Sequence, residues 1–368
     1  MYFRLRLVAR PLMLAVMLSV GAAFFANVEP AQAVAPSAIP PYTLATFKGV
    51  APSGLISPDD VAVSADGTSL WVGYGNGAAT DGSGTKTSSV VEYSIATGTV
   101  LQNITEPVPG HIDGLKIDPA TGEVWTNIDE DSHPKVVIIN PKNGKATAFT
   151  VSSSLITGGL DDLVFSGNDS AFVTASSQTS LTAPVIVEIS IKEKKKGGSL
   201  TVTSVLPQSP PTVWNVVTNK AETGDTIGDP DSMTIDPAGE LVLEDRMSDS
   251  LFIVRNPSAT NPVLRVPLAL ATTPDVPLEV DDTIFTYSLT SGASSTAGTI
   301  FIADPSANLI YTLTKPYFPS NEVYSAIVTP GANAIGLVDL NTGLVAQVAT
   351  GFAGVHGLAF SPINVAIP

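Results

Sequence analysis

Residues 113–125 read Asp-Gly-Leu-Lys-Ile-Asp-Pro-Ala-Thr-Gly-Glu-Val-Trp, an acid running into an apolar strand, a turn, and a second strand. Asp118-Pro119-Ala120-Thr121-Gly122 has the Asx, Pro and Gly chemistry of a tight turn, so two antiparallel strands must flank it. The same grammar recurs along the chain. Asp59-Asp60-Val61-Ala62-Val63, Asp161-Asp162-Leu163-Val164-Phe165, Asp231-Ser232-Met233-Thr234-Ile235, Asp281-Asp282-Thr283-Ile284-Phe285 and His356-Gly357-Leu358-Ala359-Phe360 are further copies of the opening strand. Second strands follow as LWVGY, VWTNI, AFVTA, LVLED and, after a longer loop, IFIAD. Third strands follow as VVEYSI, VVIIN, VIVEIS, LFIVR and LIYTL, with hairpin signals at Ala96-Thr97-Gly98, Asn143-Gly144 and Asn341-Thr342-Gly343.

Six copies leave about 56 residues for each unit, which suits a four-stranded blade with its loops. Helical periodicity is nearly absent. The fold class expected is therefore all-β, a six-bladed β-propeller of four-stranded blades. A β-helix would repeat at a shorter period, and a pair of sandwiches would not repeat one motif six times. Residues 314–350 hold three outer-type strands with no acidic inner strand before them, which leaves two closures open: a last blade that mixes strands from both termini, or a seventh blade.

The chain has 368 residues, no cysteine, 14% charged residues and a net charge of −16. Thiolate chemistry and disulfides are thereby excluded, and the acidity disfavours nucleic acid and anionic lipid surfaces. Residues 1–33 carry Arg4, Arg6 and Arg10, the apolar run MLAVMLSVGAAFFA and the small-residue site Ala31-Gln32-Ala33, the order of a cleaved secretory signal. A retained anchor would need a longer apolar run. Residues 34–368 then form one exported propeller, secreted or periplasmic, monomeric and without membrane insertion, whose net charge deepens to −18.

The first strand of a propeller blade lines the axis, so the repeat arranges Asp59, Asp113, Asp161, Asp231, Asp281 and His356 as a ring at one mouth. Strand alternation adds a layer two residues earlier: Ser57, His111, Gly159, Asp229, Glu279 and Gly354. Second strands return to the same mouth and bring Asn76, Asn127, Asp129, Asp245, Arg246 and Asp304 as candidate ligand-binding residues. Five carboxylates around a narrow axis repel one another and must take a proton, a cation or backbone amides. A divalent cation, calcium by its preference for oxygen, is one answer, with Asp59, Asp113, Asp161, Asp231 and Asp281 as ligands. Structural ties to loop amides are the other, and the two can coexist. His111 and His356, with Asp231, are the candidate proton-transfer groups. His133 reads as a surface residue. Other motifs carry less: Gly73–Gly77 lacks the strand-to-helix setting of a phosphate loop, serine-hydrolase and zincin signatures are absent, Lys192–Gly198 reads as a solvated basic turn, and Asn103 and Asn168 sit in glycosylation triplets.

The inner-strand pattern GLKIDPATGEVW, SMTIDPAGELVLED and GLAFSP, with IFIADPSANLIYTLT, resembles the NHL-repeat and senescence-marker-protein (gluconolactonase)-like superfamily of six-bladed propellers. The resemblance implies an axial divalent metal held by a Glu, amides and an Asp, and hydrolysis of lactones or esters. The family's early Glu-Gly-Pro is replaced by Ser57-Pro58-Asp59, and Asp113-Gly114 and Asp231-Ser232 stand where its Asn-Gly is expected. The related streptogramin-lyase propellers depend on a mouth histidine, which His356 or His111 could supply. Two functions follow: a propeller that binds a small molecule or protein partner at its mouth around a structural cation, or a metal-dependent hydrolase or lyase.

Overall fold

The computed structural model describes residues 35–167, 169–192, 199–210, 212–255, 263–289, 293–329 and 332–363; the signal segment, most of the Lys192–Gly198 run and Asn168 lie outside them. The described chain is an all-β propeller built from four-stranded blades, without an α-helix. Its strands group into six sheets. Sheet one comprises Pro58–Val63, Ser69–Tyr74, Ser89–Ser94 and Val100–Thr105, and sheet two Ile112–Ile117, Val124–Ile128, Lys135–Asn140 and Lys145–Thr150. Sheet three comprises Leu163–Gly167, Ser170–Thr174, Pro184–Lys192 and Ser199–Pro207. Sheet four comprises Pro230–Ile235, Leu241–Asp245, Ser250–Val254 and Val263–Pro267, extended by Val213–Asn215 and Lys220–Glu222.

Burial follows position in the sheet. The second strand Ser69–Tyr74 is buried throughout, because neighbouring sheets cover both its faces, whereas the outer strand Val100–Thr105 is largely exposed. The core is correspondingly divided. One apolar cluster joins Trp71, Val90, Ile112 and Leu115 between sheets one and two, and another joins Trp125, Val136, Leu163 and Val173 between sheets two and three. Each inner strand packs beside the next, and Leu358–Ile363 packs beside Pro58–Val63.

The last two sheets depart from the expected chain order. The sequence reading pairs the Asp281 strand with IFIAD. Instead Val280–Phe285 pairs with Val323–Ile327, followed by Ala334–Asp339 and Leu344–Thr350, to make sheet five. Ser295–Asp304 pairs with Leu358–Ile363 and with Leu309–Pro319, whose free edge takes the N-terminal strand Thr43–Thr46, to make sheet six. The chain thus lends one hairpin to sheet six before completing sheet five. The return is fixed by Thr286, whose N–H donates to the Glu322 carbonyl at 2.9 Å and whose carbonyl accepts from Asn321 N–H at 2.7 Å. The closure is the one that mixes strands from both ends; among the described residues there is no seventh sheet.

A second departure shapes the axis. Inner strands carry a register shift between Pro58 and Val61, Ile112 and Leu115, Pro230 and Met233, and Val280 and Thr283. Such a bulge presents two consecutive residues on one side of the strand, where strict alternation allows one. The residue after Asp59, Asp113, Asp231 and Asp281 therefore also reaches the channel.

Candidate cation and ligand site at the axial mouth

Asp59, His111, Asp113, Glu130, Asp231, Arg246, Asp281 and His356 line a small cavity of about 90 Å³ at the mouth. Its floor is formed by the residues that follow the ring position in each sheet. Asp60, Asp162 and Asp282 stand in sheets one, three and five, and alternate with Gly114, Ser232 and Gly357 in sheets two, four and six. Each of these carboxylates accepts the amide of the next inner strand: Leu115 N–H to Asp60 at 2.7 Å, Met233 N–H to Asp162 at 3.0 Å, and Leu358 N–H to Asp282 at 2.6 Å. Lys116 crosses beneath them, with its Nζ 2.9 Å from both Asp60 Oδ2 and Asp162 Oδ1. Burial pushes the Asp60 carboxyl up to about 7 despite Lys116. The structural role that the sequence reading offered to the ring acids thus falls to their successors.

The ring itself divides into two halves. Across sheets one to three, one ligand atom each from Asp113, Glu130 and Asp161 lies within 4.8 Å of the others, and so does one each from Asp59, His111 and Asp113. Burial, and then the neighbouring carboxylates, hold Asp113 and Asp161 well above the usual carboxylate range. Burial, with Asp59 and Asp131, pushes Glu130 up to about 7. Across sheets four to six the acids are already partnered. Arg246 reaches Asp231 at 3.3 Å and Glu279 at 2.9 Å. His356 Nδ1 lies 2.8 Å from Asp59 Oδ1 and 3.8 Å from Asp281 Oδ2. Burial alone would lower the His356 pKa, but Asp281 and Asp59 outweigh it and push it up to about 10.

His111 is placed by packing. Its ring lies over Gly75, where a Cβ would come within 2.5 Å of Nε2, and its own N–H donates to Asp129 Oδ1 at 3.1 Å. Nε2 faces Asp59 Oδ2 at 3.7 Å, while buried Nδ1 has no hydrogen-bond partner among the described residues. Glu130 was not among the candidates. It follows Asp129, whose φ of 72° turns the chain inward, and Gly159 admits its backbone at a place where a Cβ would sit 2.0 Å from the Glu130 carbonyl. The Asp-Glu-Asp stretch and an unexplained Gly159 were the available signals.

Of the six residues expected to meet a ligand, Arg246 lines the cavity. The other five are occupied within the protein. Asn76 accepts from Ile56 N–H and donates to Thr87 and Ser89. Asn127 is fully buried and donates to the Asp161 carbonyl at 2.8 Å. Asp129 pairs with Lys135, and Asp245 accepts Asp229 N–H at 2.7 Å. Asp304 is fully buried and accepts the amides of Ala307, Ala353 and Gly354. Among the expected cation ligands, Asp59, Asp113 and Asp161 fall into the two clusters, and Asp231 and Asp281 face Arg246 and His356. His133 lies in the rim loop, its Nδ1 2.9 Å from Ser132 Oγ.

No family model and no curated protein matches the chain. Solved structures similar to it include two lyases and a gluconolactonase. A streptogramin B lyase is 11% identical with a TM-score of 0.45, covering 88% of this chain and 88% of that one. The periplasmic gluconolactonase of Pseudomonas aeruginosa is 12% identical with a TM-score of 0.45, covering 84% and 89%. The virginiamycin B lyase of Staphylococcus aureus is 12% identical with a TM-score of 0.45, covering 74% of this chain and 99% of that one. At such identities and TM-scores the likeness says nothing of the chemistry of this mouth, which rests on its own residues.

Proposed function

We propose that this is an exported, monomeric six-bladed propeller that holds a divalent cation at its axial mouth and binds a small polar ligand or a protein partner there. The observation that carries the reading is the pair of overlapping ligand clusters that share Asp113. The all-oxygen set of Asp113, Glu130 and Asp161 suits a hard cation, calcium first, because carboxylates that must otherwise be protonated gain charge compensation from it. A ligand bearing a carboxylate or carbonyl would find Arg246 and cationic His356 on the opposite wall. Titration calorimetry of chelator-treated protein with calcium chloride tests this: one cation per chain is expected, with affinity falling at least about tenfold in Asp113→Asn. Absence of binding at millimolar calcium, with zinc and manganese also silent, would sink the reading.

The paired histidines favour a second reading, a metal-dependent lactone or ester hydrolase, or a lyase. The cation would supply Lewis acidity toward a carbonyl or leaving group. His356, held cationic by Asp59 and Asp281, is suited to donate a proton, and His111, whose Nε2 faces the mouth beside Asp59, to accept one. A panel of lactones and esters separates the readings. Turnover that is lost in His356→Ala while calcium binding persists supports the enzyme, and no turnover across the panel leaves the binding function.

A further inference from the structure

Beneath Lys116 the channel changes character. Toward the face opposite the mouth it opens into a cavity of about 490 Å³, within the roughly 300–1,000 Å³ of small-molecule sites. Its walls are apolar, from Val61, Ile117, Leu163, Phe165, Ile284 and Phe360. Its closed end is charged. Three carboxylates, Asp60, Asp162 and Asp282, stand against the single ammonium of Lys116, whose proton-bearing Nζ is already shared between Asp60 and Asp162.

Asp282 is the group left over. It is 2% exposed and lines both this cavity and the mouth. Its Oδ2 accepts from Leu358 N–H, while its buried Oδ1 has no hydrogen-bond partner among the described residues. An unpartnered carboxyl oxygen at the end of an apolar cavity is costly unless it takes a proton or a donor comes to it. A donor that carries its own positive charge can take the place of that proton and leave the carboxylate compensated, which a neutral donor cannot do.

We propose that this lower cavity is a second binding site, for a small amphipathic amine whose apolar body lies against the channel walls and whose ammonium meets Asp282. An anionic head would be repelled by the three acids, and a neutral one could not replace the proton on Asp282. The site is independent of the cation at the mouth, from which the carboxylate layer separates it.

Titration calorimetry with three probes of one body and different heads tests the assignment: 4-phenylbutylamine, 4-phenylbutanol and 4-phenylbutyrate, each with calcium chloride in excess and again after chelation. The amine should bind roughly tenfold or more tighter than the alcohol, with the carboxylate weakest, and calcium should not change the order. Asp282→Asn, which keeps an acceptor for Leu358 N–H, should bring the amine to the level of the alcohol. Ile284→Trp, which fills the cavity from its wall without touching the carboxylates, should abolish binding of both. An amine no tighter than the alcohol overturns the proposal. So does amine binding that survives Ile284→Trp, since it would then lie at the acidic mouth. The Ile284→Trp arm stands even where Asp282→Asn does not fold.

Discussion

The first and second residues of the Asp-Asp pairs in sheets one, three and five are neighbours in sequence and opposites in use. Asp60, Asp162 and Asp282 each close a junction by accepting a backbone amide from the adjoining inner strand. Asp59 and Asp161 keep their side chains among polar groups of the mouth, on His356 and Ser176. In the intervening sheets the second position is reduced to Gly114, Ser232 and Gly357, and Gly114 and Gly357 donate N–H to the carbonyls of Asp161 and Asp59. Carboxylate stitches and close main-chain contacts therefore share the work of sealing the ring. An axial acid is not a site merely because it is axial; what matters is whether a backbone amide already holds it.

The sharpest way to break this distinction is to remove one acid of each kind. Asp162→Ala strips Met233 N–H of its acceptor and Lys116 of a partner in a buried setting, so a loss of about 3–5 kcal/mol is expected. Asp59→Ala, at the mouth, should cost no more than about 1 kcal/mol. Urea unfolding of the two variants decides; equal losses would erase the difference between stitch and mouth.

A smaller effect is expected at the glycine junctions. A Cβ on Gly357 would lie 2.5 Å from the Asp59 carbonyl oxygen and 2.6 Å from Asp60 Cα, contacts that only backbone movement can relieve. Gly357→Ala should cost about 1–3 kcal/mol and, by displacing Asp59, should also weaken cation binding. Unchanged calcium affinity at reduced stability would show that the mouth is insulated from its floor.

These two positions also mark how far the sequence could be read. Alternation and turn chemistry are local, and they placed sheets one to four, whose hairpins follow one another. Asp118 and Asp236, for instance, do cap their turns, accepting from Ala120 and Ala238 N–H. The exchange between sheets five and six is not legible because a strand after a long loop can pair with the strand before it or with the next sheet, and the choice is made by backbone hydrogen bonds at Thr286 and Asn321 that no side-chain pattern records. The ring Asp, His111 and His356 were legible from register. The bulges beside Asp60 and Asp282 are not, and the amide that Asp162 accepts belongs to another sheet, so no single repeat shows the role of these three acids. Asn127, Asp245 and Asp304 carry ligand-like side chains but are fully buried, and burial depends on neighbouring sheets that no single repeat contains.

The mildest test concerns the mouth alone and turns on sign. Burial and neighbouring carboxylates hold Asp113, Asp161 and Asp231 well above their ordinary value of 3.8, and push Glu130 from 4.5 up to about 7. The folded, cation-free protein therefore keeps protons that the unfolded chain has released. Stability should be full below about pH 4 and should decline as pH rises through about 7. Asp60, also near 7, contributes a slope of the same sign from the stitched layer, so the wild-type profile alone cannot isolate the mouth. Asp113→Asn can. It removes one repelled carboxyl without disturbing a stitch, and in chelator at pH 7–8 it should raise stability by about 1 kcal/mol and flatten the decline. Added calcium should stabilise the wild type more than the variant, because a cation favours the ionised carboxylates that high pH provides. A variant that loses stability in chelator would instead make Asp113 a structural residue like Asp162, and the division of the channel would then run through the ring.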